Sequence, residues 1–146
     1  MKVKEDPLSR SLADLENCLN EAPSQQQGWA RSLTENIEKT RQAWLQHLDD
    51  AEGPDGIFSQ VDLTRPSLVR QLGELRDEHE QLLALATELG HELTGAAPQS
   101  QSGSGSSDFE LLQRRIRQFS ERARYHMQRE TDLVQESITT DLGAAD

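Results

Sequence analysis

Cysteine is nearly absent from this chain: Cys18 is the only one in 146 residues. An internal disulfide is therefore excluded, and a reducing, cytoplasmic setting is the expectation. Apolar runs extend only a few residues, far short of the roughly 20 that a membrane-spanning helix needs. The opening stretch MKVKEDPLSR has two lysines but no apolar run behind them, so a secretory leader is not expected. Positive charge is also in short supply, with 15 Lys and Arg against 26 Asp and Glu, a formal net charge of −11. Nucleic acid and anionic membrane surfaces would be repelled and are not expected as partners. β-Branched residues are sparse and no alternating run persists, which argues against strands.

Several catalytic signatures are missing as well. There is no Ser-His-Asp order, no Cys-x-x-Cys pair and no Gly-rich phosphate loop, since GSGS at 103–106 follows no strand. Nothing nominates a nucleophile or a substrate pocket, so an enzyme is not the expectation.

What the sequence does have is helical periodicity. A single domain over residues 1–146 is expected, with helices at roughly 8–22, 25–50, 65–94 and 108–140. Leu8, Leu12, Leu15, Leu19 and Ala22 form the stripe of the first, and Pro23 ends it. Ala30, Leu33, Ile37, Trp44 and His47 mark the second, which stops at Glu52-Gly53-Pro54-Asp55-Gly56, a strong breaker. Ile57, Phe58, Val61 and Leu63 should pack from a crossing connection. Thr64 then offers an N-cap, with Pro66 in the first turn of the third helix. That helix carries the cleanest stripe: Leu68, Leu72, Leu75, His79, Leu82, Ala86, Leu89 and Leu93. Residues 95–107, GAAPQSQSGSGSS, read as a flexible loop. Asp108 should cap the fourth helix, with Leu112, Ile116, Phe119, Ala123, His126, Glu130 and Leu133 inward. The predicted fold class is all-α, an antiparallel up-down four-helix bundle.

The stripes also hint at an internal repeat. The first and third helices align with Leu19 opposite His79. The second and fourth align Leu33 with Leu112, Ile37 with Ile116, Trp44 with Ala123, His47 with His126 and Ala51 with Glu130. Heptad patterning alone produces some of this match.

Three of these stripes point a histidine inward. His126 and Glu130 are four residues apart, about 40° around one helix face. A buried carboxylate is costly unless a cation, a proton or a metal matches it. His79 stands where neighbouring core positions are Leu or Ala, and His47 follows Trp44 on its own stripe. Imidazole nitrogen and carboxylate oxygen together suit iron, zinc or manganese, and bundles build such sites from facing helices. A metal-free network is the other reading, with Glu130 accepting hydrogen bonds from the imidazoles. His91 is rotated by about 120° from His79 and should face solvent. Cys18 should be a small buried hydrophobe, Trp29 and Trp44 packing anchors, and Tyr125 a surface residue.

At the histidines the sequence resembles the hemerythrin-like (HHE) cation-binding family. The resemblance rests on LRDEHEQL from Leu75 to Leu82, on HMQRE from His126 to Glu130, and on HLDDAEGP from His47 to Pro54. It covers roughly Gln25 to Thr140. It implies a hemerythrin-like bundle with a non-heme iron centre that binds oxygen or senses redox state. The ligand set carried over is partial: His47, His79, His126 and Glu130. Ala51 stands where a carboxylate is expected, Glu52 is one place later and could reach inward if the last turn unwinds, and Leu19 replaces the first-helix histidine. Three outcomes stay open: one metal ion, an atypical pair, or a metal-free bundle acting as a protein-interaction or regulatory module.

Overall fold

The computed structural model describes residues 6–20, 26–96 and 106–144, without the side chains of 26–30, 96, 106–109 and 140–144. Four helices account for almost all of them: α1 (Pro7–Asn20), α2 (Gln26–Glu52), α3 (Pro66–Ala96) and α4 (Ser106–Ala144). Each α-helix packs on its sequence neighbour, and α1 closes the ring on α4. Cross-helix contacts give the directions. Glu16 meets Arg124 while Asn20 meets Arg117, and Glu74 meets Arg129 while Glu92 meets Arg115. Residue numbers rise on one helix as they fall on the other, so adjacent helices are antiparallel. This is the expected all-α, up-down four-helix bundle.

The apolar stripes are what hold it. The predicted inward leucines of α1, α3 and α4 are all buried, each worth about 1.5–3 kcal/mol relative to exposure. They form two clusters. The larger includes Leu12, Trp44, Leu82 and Ala123, and the smaller includes Ala51, Phe58, Leu75 and Leu133. On every helix from α2 to α4, the residues separating the two clusters are polar.

The turn between α2 and α3 sets the register of those helices. Gly56 donates its N–H to the Gly53 carbonyl at 3.0 Å. A Cβ at Gly56 would overlap the carbonyl oxygens of Asp50 and Ala51, so only glycine lets the chain fold back this tightly on α2. A 3₁₀ turn, Ile57–Gln60, then drops Phe58 into the smaller cluster. The Asp62 N–H donates to Ser137 Oγ at 2.9 Å, fastening the connection to α4.

Several expectations are corrected at the margins. Arg65, not Thr64, precedes the first turn of α3: its carbonyl accepts from Val69 N–H at 3.1 Å. The Thr64 hydroxyl instead donates to Asp62 Oδ1 at 2.6 Å, a local turn that competes with capping. Leu63 lies at the tip of that turn and is 67% exposed rather than packed. Asp108 falls inside α4, which begins at Ser106, and α2 continues to Glu52. Gly95 and Ala96 belong to α3, and Ser106 and Ser107 to α4. The rest of the expected loop, the side chains of Trp29 and Ala30, and Ala22 lie outside the described residues. Among the described residues, no helix is long and apolar enough to cross a membrane.

A polar tie at Glu16 also joins α1 to α4. Glu16 accepts from Arg124 Nε at 2.6 Å, from Arg124 Nη2 at 2.9 Å and from Ser120 Oγ at 2.5 Å. The Arg124 bonds hold the Glu16 carboxyl below its ordinary 4.5, outweighing partial burial. A carboxylate whose folded-state value is lowered stabilises the fold fully above its unfolded value and loses that contribution as pH falls through the folded one. Glu16→Gln should therefore cost about 0.5–1 kcal/mol in urea unfolding at pH 7, the range for a partly exposed pair. The gap between variant and parent should narrow once the pH drops below 4.5.

Candidate metal centre

Between the two apolar clusters, α2, α3 and α4 each deliver one imidazole to the bundle axis, and α4 adds a carboxylate. His126 and Glu130 share a face because four residues advance a helix by just over one turn. His79 and His126 are fully buried and Glu130 is 2% exposed. His47 keeps 16% of its side chain in solvent. The three rings converge on one carboxylate: His47 Nε2 lies 2.7 Å and His126 Nε2 2.9 Å from Glu130 Oε1, and His79 Nε2 lies 3.5 Å from Oε2.

Aromatic side chains wall the centre. Trp44 stacks on His47 with centroids 5.3 Å apart and meets His126 and His79 edge-on. Its indole N–H donates to the His79 carbonyl at 2.8 Å, so the packing anchor also fixes its own orientation. Phe58 lies parallel to His79 at 5.2 Å.

Outer carboxylates decide which nitrogens face inward. His126 Nδ1 is 2.6 Å from Glu78 Oε1, and His79 Nδ1 is 3.0 Å from Glu52 Oε2. A carboxylate only accepts, so each Nδ1 carries a proton and donates it. In a neutral ring this leaves the Nε2 lone pair directed at Glu130. Acceptor then faces acceptor in a dry interior. Accordingly, His79 Nε2, His126 Nε2 and Glu130 Oε2 have no hydrogen-bond partner: His126 Nε2 is close to Oε1 but off the line a hydrogen bond requires.

The electrostatics of the centre are those of an anion held by rings. Burial works to raise the Glu130 carboxyl; each imidazole lowers it to the extent that it turns an N–H rather than a lone pair toward it, and together they hold the group well below the usual carboxylate range. Burial works to lower His47, and Glu130 outweighs it with help from Asp6 and Asp50, leaving His47 above its ordinary 6.5.

These observations fit a cation. Four ligand atoms, one from each residue, all lie within 4.8 Å of one another, and two ligands at about 2.1 Å from a shared ion sit about 3–4.2 Å apart. The orphaned lone pairs and the ionised carboxylate are the donors that such an ion takes. The cluster of His47, His79, His126 and Glu130 can hold a metal ion.

All four residues nominated from the sequence meet in this centre. Glu52 also reaches inward, with the last turn of α2 intact, and it binds His79 rather than the central space. Glu78 is the group the sequence did not flag, because it reads as part of a solvated face one residue before His79. His91 and Tyr125 are exposed and Cys18 is buried, as expected. The pseudo-equivalent Leu19 is not at the level of the centre. Neighbouring Asn20 meets Arg117, which places Leu19 about 10 Å along the axis from His126. Pro7 and Leu8, which share a cleft with His47, are the α1 residues nearby.

A buried polar group kept for chemistry need not stabilise the fold. The metal-free triple variant His79→Leu, His126→Leu and Glu130→Leu should be at least as stable as the metal-free parent in urea unfolding. Glu130→Ala alone should cost about 3 kcal/mol, because it strips His47 of its hydrogen-bonded partner and leaves a cavity.

No family model, curated protein or solved structure matches the chain.

Proposed function

We propose that the chain is a hemerythrin-like bundle holding one non-heme metal ion between His47, His79, His126 and Glu130, with iron the first choice. The observation that carries this reading is the set of buried, unpartnered atoms: His79 Nε2, His126 Nε2 and Glu130 Oε2. Zinc and manganese accept the same donors. Bound iron would supply a one-electron redox couple, and the role assigned is oxygen or redox sensing in the cytoplasm rather than catalysis.

The chain's own residues define what the site does. Glu52 and Glu78 orient two rings through Nδ1. Trp44 and Phe58 exclude water from the ring faces. One ion is favoured over a pair because buried Ala51 offers no donor beyond His47 and Leu19 lies at another level. Ala51 also favours the second reading, a metal-free descendant of the same bundle that serves as a protein-interaction or regulatory module.

Metal analysis separates the two. Protein expressed in iron-supplemented medium and purified without chelators or a histidine tag should carry close to one equivalent of metal. Reconstitution at 100-fold excess over the dissociation constant should add about 2.7 kcal/mol of stability. The His126→Ala, Glu130→Ala double variant should lose the metal. Full loading of that variant, or no loading of the parent after anaerobic reconstitution with ferrous iron, removes the metal reading and leaves the interaction module. Glu78→Gln should weaken binding roughly 10–100-fold while leaving the four ligands in place.

A further inference from the structure

The centre is shielded unequally on its different sides. Behind His79, Glu52 lies 3.8 Å from Arg76, whose guanidinium also covers the Phe58 ring. Behind His126, Glu78 is flanked by Arg122 and Arg129, each at 3.8 Å. A cation approaching either side meets arginine first. The His47 side is different. His47 is a lining residue of a cleft of about 390 Å³ whose other lining residues include Leu8, Ala43, Ile57, Asp6, Asp50 and Asp55. Among the described residues, no lysine or arginine lines it. Gln46 donates to Asp50 Oδ1 at 3.0 Å, holding that carboxylate one turn from His47.

His47 is also the ring with the least support. Carboxylates hold the Nδ1 atoms of His79 and His126, whereas among the described residues the only ion pair of His47 is with Glu130. The unpartnered atoms of the centre lie immediately behind it, around the same Glu130 carboxylate.

We infer that this cleft is the port through which a divalent cation reaches the centre, drawn in by Asp6, Asp50 and Asp55 and admitted past His47. The inference rests on the metal reading and adds a route to it. A concave, low-dielectric surface carrying one sign of charge focuses its field and raises the local concentration of counter-ions. Three aspartates, with no lysine or arginine among the described lining residues, do this for a metal ion and repel anions.

The test is the rate of metal uptake. Metal-free protein is mixed with Co²⁺ at low ionic strength and the visible absorption of the bound ion is followed by stopped flow. Asp50→Asn with Asp55→Asn should slow association about three- to tenfold, and the difference should shrink in 0.5 M salt, where the Debye length falls to about 4 Å. Both aspartates are exposed, so the fold tolerates the change. Glu35→Gln with Glu121→Gln removes the same charge from exposed positions outside the cleft and should stay within about twofold of the parent. Saturable uptake with equal rates in the two double variants overturns the port and leaves the metal reading standing. Absence of saturable uptake by the parent overturns both.

Discussion

The carboxylate of Glu130 is the constraint around which the molecule is arranged. At 2% exposure it cannot rely on water, and an unmatched buried charge costs several kcal/mol. Its matching groups come from three helices, with Nε2 atoms 2.7 to 3.5 Å from its oxygens. Distances this short leave little freedom in the relative heights of α2, α3 and α4. A slide of one residue, about 1.5 Å, would break the set. Leucine stripes alone permit such slides at modest cost, whereas a polar layer between two apolar clusters does not. Specifying register in this way is a recognised use of buried polar groups.

Charge alternates outward from that carboxylate on two sides. Imidazoles surround it, Glu52 and Glu78 stand behind two of them, and Arg76, Arg122 and Arg129 stand behind those. Each shell steadies the one inside it, since an oriented carboxylate fixes the ring and an arginine steadies the carboxylate. The third side does not repeat the pattern. Acids follow His47 directly, with no arginine among the cleft's described lining residues. Two of the rings are therefore anchored from outside and the third is held from inside, by Glu130.

The helices and the four central residues were legible because both depend on periodicity within a single segment. A histidine or glutamate on a leucine stripe is conspicuous, and His79, His126 and Glu130 are buried where their stripes put them. What the sequence left hidden depends on the relation between helices. Glu78 is turned about 100° from His79 on α3 and becomes significant only because α4 brings His126 Nδ1 beside it. The offset of Leu19 has the same origin. Aligning two stripes gives their phase, not the height at which one helix packs beside another. Thr64 and Leu63 failed for a local reason, since Asp62 captures the Thr64 hydroxyl and turns the chain outward before α3 begins.

The first helix explains why the third side stays open. α1 has 14 residues against 31 in α3 and 39 in α4. Its first turn, at Pro7 and Leu8, stands beside His47. Among the described residues, the bundle has at that level three helices and the start of a fourth. A longer α1 would place a full apolar face against His47 and close the ring. Starting there instead, it presents a lone buried leucine and the Asp6 carboxylate at the rim. Absence of a ligand from α1 and the exposure of His47 thus share one cause. The helix that brings nothing to the centre is the one whose start leaves a way into it.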